Sequence, residues 1–141
     1  MFCSRILVAF DESELAMKSL EKAIELAKTD PTIEVELLHS VLWPLNFNMY
    51  SKNKQNIEDS LMEDGKKVIS KAVAKLTELP NITRSYVLVG TPARAILDHA
   101  RAHDCDLIIM GSRGLSGIKE LLGSVSHYVI QNSTIPVLLI K

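Results

Sequence analysis

Short runs of unbroken apolar residues constrain this chain most. Ile6–Phe10 reads ILVAF and Leu107–Met110 reads LIIM, neither alternating with polar residues. A strand with one wet face alternates with a period of two, so an unalternated run of this length suits a strand buried on both sides of a parallel sheet. Between the runs the apolar spacing changes to that of helices. Met17, Leu20, Ile24 and Ala27 recur at helical intervals, closed by Pro31. Ile33–Leu38 alternates and then runs apolar into His39-Ser40-Val41, which marks a second strand. Leu42–Gln55 reads as a long connection carrying Trp43, Pro44, Phe47 and Tyr50, the kind of loop that covers a site.

From Ile57 a long amphipathic helix follows, with Leu61, Gly65, Val68, Ile69, Ala72, Val73 and Leu76 on one face and Pro80 at its close. Thr83–Val89 is a third strand. Gly90-Thr91-Pro92 then turns into a helix with Thr91 as cap and Pro92 at its first position. Ala93, Ile96, Leu97 and Ala100 give that helix its core face. After the strand at Leu107, residues Val125, Val129 and Ile130 mark a last helix, and Pro136–Ile140 is a fifth strand. Strands and helices alternate from end to end without a linker or second core. The reading is a single α/β domain over residues 1–141 with a mainly parallel sheet.

The segment from Leu107 to Ser126 carries the chemistry. The strand leads into Gly111-Ser112-Arg113-Gly114, and Gly123-Ser124 comes nine positions later. Glycines at a strand exit let backbone N–H groups approach an anion, and Arg113 adds a forked cation. Gly123-Ser124 reads as a helix start with Ser124 as N-cap. Together Gly111, Arg113, Gly114, Gly123 and Ser124 form a candidate phosphate cradle. In open parallel sheets ligands bind beyond the carboxyl ends of strands where the strand order reverses. If the first and fourth strands adjoin there, Asp11 faces the cradle, suited to ribose hydroxyls or to capping the next helix beside Ser13. The end of the second strand, His39–Val41, offers backbone groups to an adenine edge, with His39 itself read as a packed residue.

Other chemistries lack their residues. No Lys follows Gly111–Gly114 in P-loop order, and no GxGxxG follows the first strand. The third strand ends in Val87-Leu88-Val89-Gly90 without the acid of a receiver domain, and no nucleophile elbow is present. His99 and His103 lie one helical turn apart without the Glu of a zinc hydrolase motif and read as a solvated face. Cys3 and Cys105 read as two reduced, inert thiols. The net charge is −1, so no global field draws the chain to nucleic acid or a membrane surface. The N-terminus has no signal-peptide pattern and no apolar run reaches membrane-spanning length, so a cytoplasmic location is expected.

The chain resembles the universal stress protein family in its nucleotide-binding branch. The resemblance runs through ILVAFDES, LLHSV, VGTPARAI, DLIIMGSRG, GSVSHYVI and the terminal PVLLIK. It implies an open, Rossmann-like five-stranded parallel sheet of order 3-2-1-4-5 with helices on both faces, in which strands one and four adjoin. It also implies ATP (or AMP) as ligand, with Mg2+ bound through the phosphates. Ala9 and Asp11 would hold the ribose and nearby adenine, and Ser40 would take the adenine-contact position. Gly111, Arg113, Gly114, Gly123, Ser124 and Ser126 would hold phosphates. A homodimer through Val137–Ile140 and a regulatory role in stress survival, without a dedicated catalytic reaction, complete the expectation. Two rival readings are an interaction module that has lost nucleotide binding and an ATP-using adenylyl-transfer enzyme. One departure stands out: the family motif usually places nine residues between its second glycine and the Gly-Ser pair, whereas Leu115–Leu122 here gives eight.

Overall fold

The computed structural model describes residues 2–113 and 123–141. The elements are β1 (Arg5–Ala9), α1 (Glu14–Ala27), β2 (Glu34–Val41), α2 (Lys54–Thr77), β3 (Thr83–Val89), α3 (Pro92–Ala102), β4 (Leu107–Gly111), α4 (Ser124–Asn132) and β5 (Val137–Ile140). The five strands form one sheet in the order β3-β2-β1-β4-β5, and every pairing is parallel. This is the implied order, and it places β1 beside both β2 and β4. No helix among the described residues is long and apolar enough to cross a membrane.

The unalternated runs are explained by layers on both faces. Ile6 and Val8 of β1 point with Val35, Leu37, Leu107 and Ile109 toward α1 and α2, where Leu20, Ala23, Ile69 and Ala72 meet them. Leu7 points the other way, with Leu38, Ile108 and Met110, toward Ala93, Ile96 and Ala100 of α3 and Val129 of α4. Removing such side chains from water on both faces is the main favourable term of the fold. The outer strands differ: β3 and β5 each have only one strand neighbour, and Leu88 and Leu138 are both 38% exposed.

Gly65 sets how closely α2 packs. A Cβ there would lie 2.4 Å from Cγ1 of Val87 and 3.0 Å from Cγ2 of Val41, so only glycine lets the helix settle this near β2 and β3. The helix begins at Lys54, earlier than the apolar spacing indicates, because its first turn is polar and contributes no core residue. Thr91 caps α3 with Pro92 following, as the sequence indicates, though the Thr91 hydroxyl makes no capping bond.

Residues before β4 tie it to the start of β1. Asp106 accepts hydrogen bonds from Ser4 N–H (2.8 Å), the Ser4 hydroxyl (2.7 Å) and Arg5 N–H (2.9 Å). Cys3 and Cys105 are free and buried at the starts of these adjacent strands. Burial pushes both thiols up, Cys105 to about 12, so neither supplies a reactive thiolate near neutral pH.

Candidate nucleotide site at the switch point

The sheet order reverses between β1 and β4; of the sequence-derived site residues, Ala9, Asp11, Gly111 and Arg113 lie at the carboxyl ends of these two strands, Ser40 lies at the end of β2, and Gly123, Ser124 and Ser126 lie at the start of α4. Ala9 ends β1 and is half-buried. Phe10 N–H donates to Leu38 O at 2.8 Å, carrying the pairing one residue past the strand. Asp11 is also half-buried, and its Oδ1 accepts from Ser13 N–H at 2.8 Å. Ser13 in turn caps α1, its hydroxyl accepting from Ala16 N–H at 3.2 Å. The capping role therefore falls to Ser13, while Asp11 shapes the turn with one oxygen.

Gly111 ends β4 under the first turn of α1. A Cβ there would lie 2.8 Å from the Leu15 Cβ and 3.1 Å from the Arg113 carbonyl oxygen. The glycine is required by this close approach, since no described glycine has a positive φ.

Ser112 organises the turn beyond β4. Its N–H donates to Ile140 O at 2.9 Å, tying the turn to the end of β5. Its carbonyl accepts from Gly123 N–H at 2.7 Å and from the Ser126 hydroxyl at 2.7 Å. The chain thus leaves the sheet after Ser112 and returns beside it at Gly123, with Arg113 at the departure point. Gly114 and Leu115–Leu122 lie outside the described residues.

Gly123, not Ser124, is the N-cap of α4; its backbone is extended (φ −67°, ψ 158°) and Ser124 is the first helical residue. Gly123 has no side chain to bond the first-turn N–H groups, and α4 starts without a side-chain cap among the described residues. Ser126 is buried, and its hydroxyl also lies 3.0 Å from Gly123 O. Ser126 therefore holds the loop's two ends together from below.

At the end of β2 the Ser40 hydroxyl donates to Gly90 O at 2.8 Å, fixing the end of β3 beside it. His39 is a packed residue, as read from the sequence: its Nδ1 lies 2.8 Å from Phe10 O, and because a carbonyl only accepts, Nδ1 carries the proton.

The solvated-face reading of His99 and His103 is overturned. His99 is buried, with its Nε2 2.6 Å from Oε1 of the buried Glu36, and the His103 Nδ1 lies 3.3 Å from the same oxygen. Glu36 is inward-facing on β2, on the α3 side, because it alternates with Val35 and Leu37, which face α1 and α2. Arg5 and Arg84 bond Glu34 at 3.0 and 2.7 Å, and this holds the Glu34 carboxyl below the ordinary range, Arg84 contributing most. The signal in the sequence was the Glu34–Glu36 alternation, but only the register, in which Glu36 pairs with Arg84 and Arg5 with Glu34, shows that these residues meet.

The fold and site together define an open α/β protein wound on both faces of a parallel sheet, with its candidate site at the β1/β4 switch point. The universal stress protein family profile matches residues 3–141. The chain belongs to the universal stress protein family. It is 35% identical over 147 residues to the universal stress protein YxiE of Bacillus subtilis, covering 98% of this chain and 99% of YxiE. Among solved structures it is similar to MJ0577 of Methanocaldococcus jannaschii, at 29% identity and a TM-score of 0.84, covering 100% of this chain and 97% of that one. It is also similar to a universal stress protein from Archaeoglobus fulgidus in complex with dAMP, at 28% identity and a TM-score of 0.68, with both chains fully covered.

Proposed function

We propose that this protein binds an adenine nucleotide, ATP or AMP, at the carboxyl ends of β1 and β4, and that it acts in the stress response as a nucleotide-dependent regulator without a dedicated catalytic reaction. The observation that carries this reading is the pinning of Gly123 to Ser112, which sets Arg113 and the uncapped start of α4 side by side beyond β4. Uncapped N–H groups and a guanidinium are the donors that a phosphate chain accepts from. The similarity to a dAMP-bound family member supports the same ligand class.

In this reading the second oxygen of Asp11 takes a ribose hydroxyl, Ala9 offers backbone groups nearby, and Ser40 borders the adenine. Gly111, Arg113, Gly114, Gly123 and Ser124 line the phosphates, and Ser126 acts on them through the Ser112 carbonyl. Mg2+ neutralises part of the phosphate charge when bound with ATP. Pairing of the exposed edge of β5, Val137–Ile140, with a second copy of the chain would cover the half-exposed Leu138 and form a homodimer.

Mass spectrometry of gently purified protein, followed by calorimetry with ATP, AMP and adenosine, tests the proposal. ATP or AMP released on denaturation, and tighter binding of ATP than of adenosine, are the expected results. Absence of co-purified nucleotide together with no measurable heat at millimolar ATP would sink the reading and leave the interaction module. Steady ATP turnover dependent on a second substrate would instead favour the enzyme.

A further inference from the structure

We propose that Glu36, His99 and His103 form a binding site for a divalent transition-metal ion, remote from the nucleotide site and independent of it. Glu36 lies in the first half of β2, whereas the nucleotide site lies beyond the strands' carboxyl ends. One ligand atom from each of the three residues lies within 4.8 Å of the others.

The supporting elements are rigid. Glu36 sits within β2, paired to β1 on one side and β3 on the other. His99 is in the last turn of α3, and His103 is its C-cap, with its N–H bonded to His99 O at 2.9 Å. In a tetrahedral zinc site the metal–ligand bonds are about 2.0–2.2 Å, which puts neighbouring ligand atoms roughly 3.3–3.5 Å apart. His103 Nδ1 and Glu36 Oε1, at 3.3 Å, already meet that spacing. His99 Nε2 and Oε1 are closer, at 2.6 Å, because a proton joins them. An ion takes the place of that proton, which moves to Nδ1 of the same neutral ring, so His99 changes tautomer without changing charge.

The two imidazoles are stacked, with centroids 3.8 Å apart and planes 11° from parallel. Parallel rings cannot aim both lone pairs at one point, so one ring turns when the ion enters. That ring is His103, whose side chain is 35% exposed, while that of His99 is 4% exposed; Tyr86 packs edge-on against both. The exposed side also leaves a fourth position to water. Arg5 and Arg84 lie on the other carboxylate oxygen, Oε2, at 3.8 and 3.7 Å, and both are bonded to Glu34. Two guanidiniums and two carboxylates cancel, leaving a neutral cluster that attracts a dication through its donors alone. Two imidazoles and one carboxylate select Zn2+, Ni2+ or Cu2+ over Mg2+ or Ca2+.

The test uses the full chain, stripped with a chelator and free of nucleotide. Co2+ alone is added and its visible d–d absorption followed, then Zn2+ is titrated by calorimetry. One ion per chain, the intense absorption of four-coordinate Co2+, and displacement by Zn2+ are expected. His103→Ala changes a half-exposed residue and Glu36→Gln preserves side-chain shape; each should weaken binding by about tenfold or more. His127→Ala, at an exposed histidine on α4, should bind as the wild type does. Failure of the Co2+ absorption to develop at millimolar metal, or equal binding by His103→Ala and His127→Ala, would overturn the assignment.

Discussion

Ser126→Ala separates holding the phosphate loop from touching the phosphate. The Ser126 hydroxyl has one proton and two acceptors in reach, Ser112 O at 2.7 Å and Gly123 O at 3.0 Å. Both carbonyls keep a backbone donor when it is removed: Ser112 O retains Gly123 N–H, and Gly123 O retains His127 N–H at 2.9 Å. No carbonyl is orphaned, so the cost is that of one ordinary hydrogen bond, about 1 kcal/mol, and not the larger penalty of a stranded buried group. For a domain of this size that lowers Tm by about 3–4 °C. Urea unfolding followed by circular dichroism reads the stability, and calorimetry reads ATP and AMP in parallel. Because the hydroxyl is already committed to a carbonyl, ATP and AMP affinities should fall together and their ratio should stay within about twofold, or 0.4 kcal/mol. A loss of tenfold or more in ATP affinity, with AMP affinity and stability unchanged, would refute this and place the hydroxyl on the terminal phosphates.

Three further outcomes rest on named contacts. Arg113→Ala should weaken ATP more than adenosine, by about 1.5–3 kcal/mol for a charged hydrogen bond, read by calorimetry; equal losses would remove Arg113 from the phosphates. Leu138→Lys should convert a wild-type dimer to a monomer in light scattering at micromolar concentration, and a variant that stays dimeric counts against pairing through β5. Burial alone would raise the Asp106 carboxyl, but donation from Arg5 and Ser4 outweighs it and holds the group below the ordinary aspartate value. A carboxyl depressed in the folded state stabilises above its unfolded pKa, and that contribution disappears as pH falls through the folded one. Asp106→Asn should therefore be less stable than wild type at neutral pH, with the difference shrinking in unfolding curves taken below about pH 4. A difference independent of pH would mean that the carboxylate's charge is not what ties β1 to β4.

Much of this architecture was legible because burial on both faces leaves a mark in the local sequence. Ile6–Phe10 and Leu107–Met110 could not alternate once α1 and α2 covered one side of the sheet and α3 and α4 the other. The switch-point residues Asp11 and Gly111 were legible for a related reason, since each directly follows or ends such a run. The Glu36 cluster was not, because it is assembled by register across β1, β2 and β3 and by a helix that returns about sixty residues later. Within IEVELL the two glutamates look like the wet side of a strand, and the histidines look like the wet side of α3. Each half hides the other's burial. The reason for Gly111 was also hidden: its lack of a side chain answers to Leu15, nearly a hundred residues earlier in the chain.

The central place of β1 has a consequence for how the chain is made. β1 is the first of the five strands to leave the ribosome, and β2 can join it once α1 has formed between them. Its other neighbour arrives only with the pairing of Ile6 to Leu107, about a hundred residues later. Closing so long a loop costs conformational entropy before any contact repays it, which slows folding. Throughout that interval Ile6, Leu7 and Val8 lie on an open edge with unpaired backbone groups, a template for pairing with another nascent chain. The three hydrogen bonds that Asp106 makes to Ser4 and Arg5 sit at the point where that edge is sealed. Chains truncated before Leu107 should therefore depend on chaperone cover in a way that the released full-length chain does not.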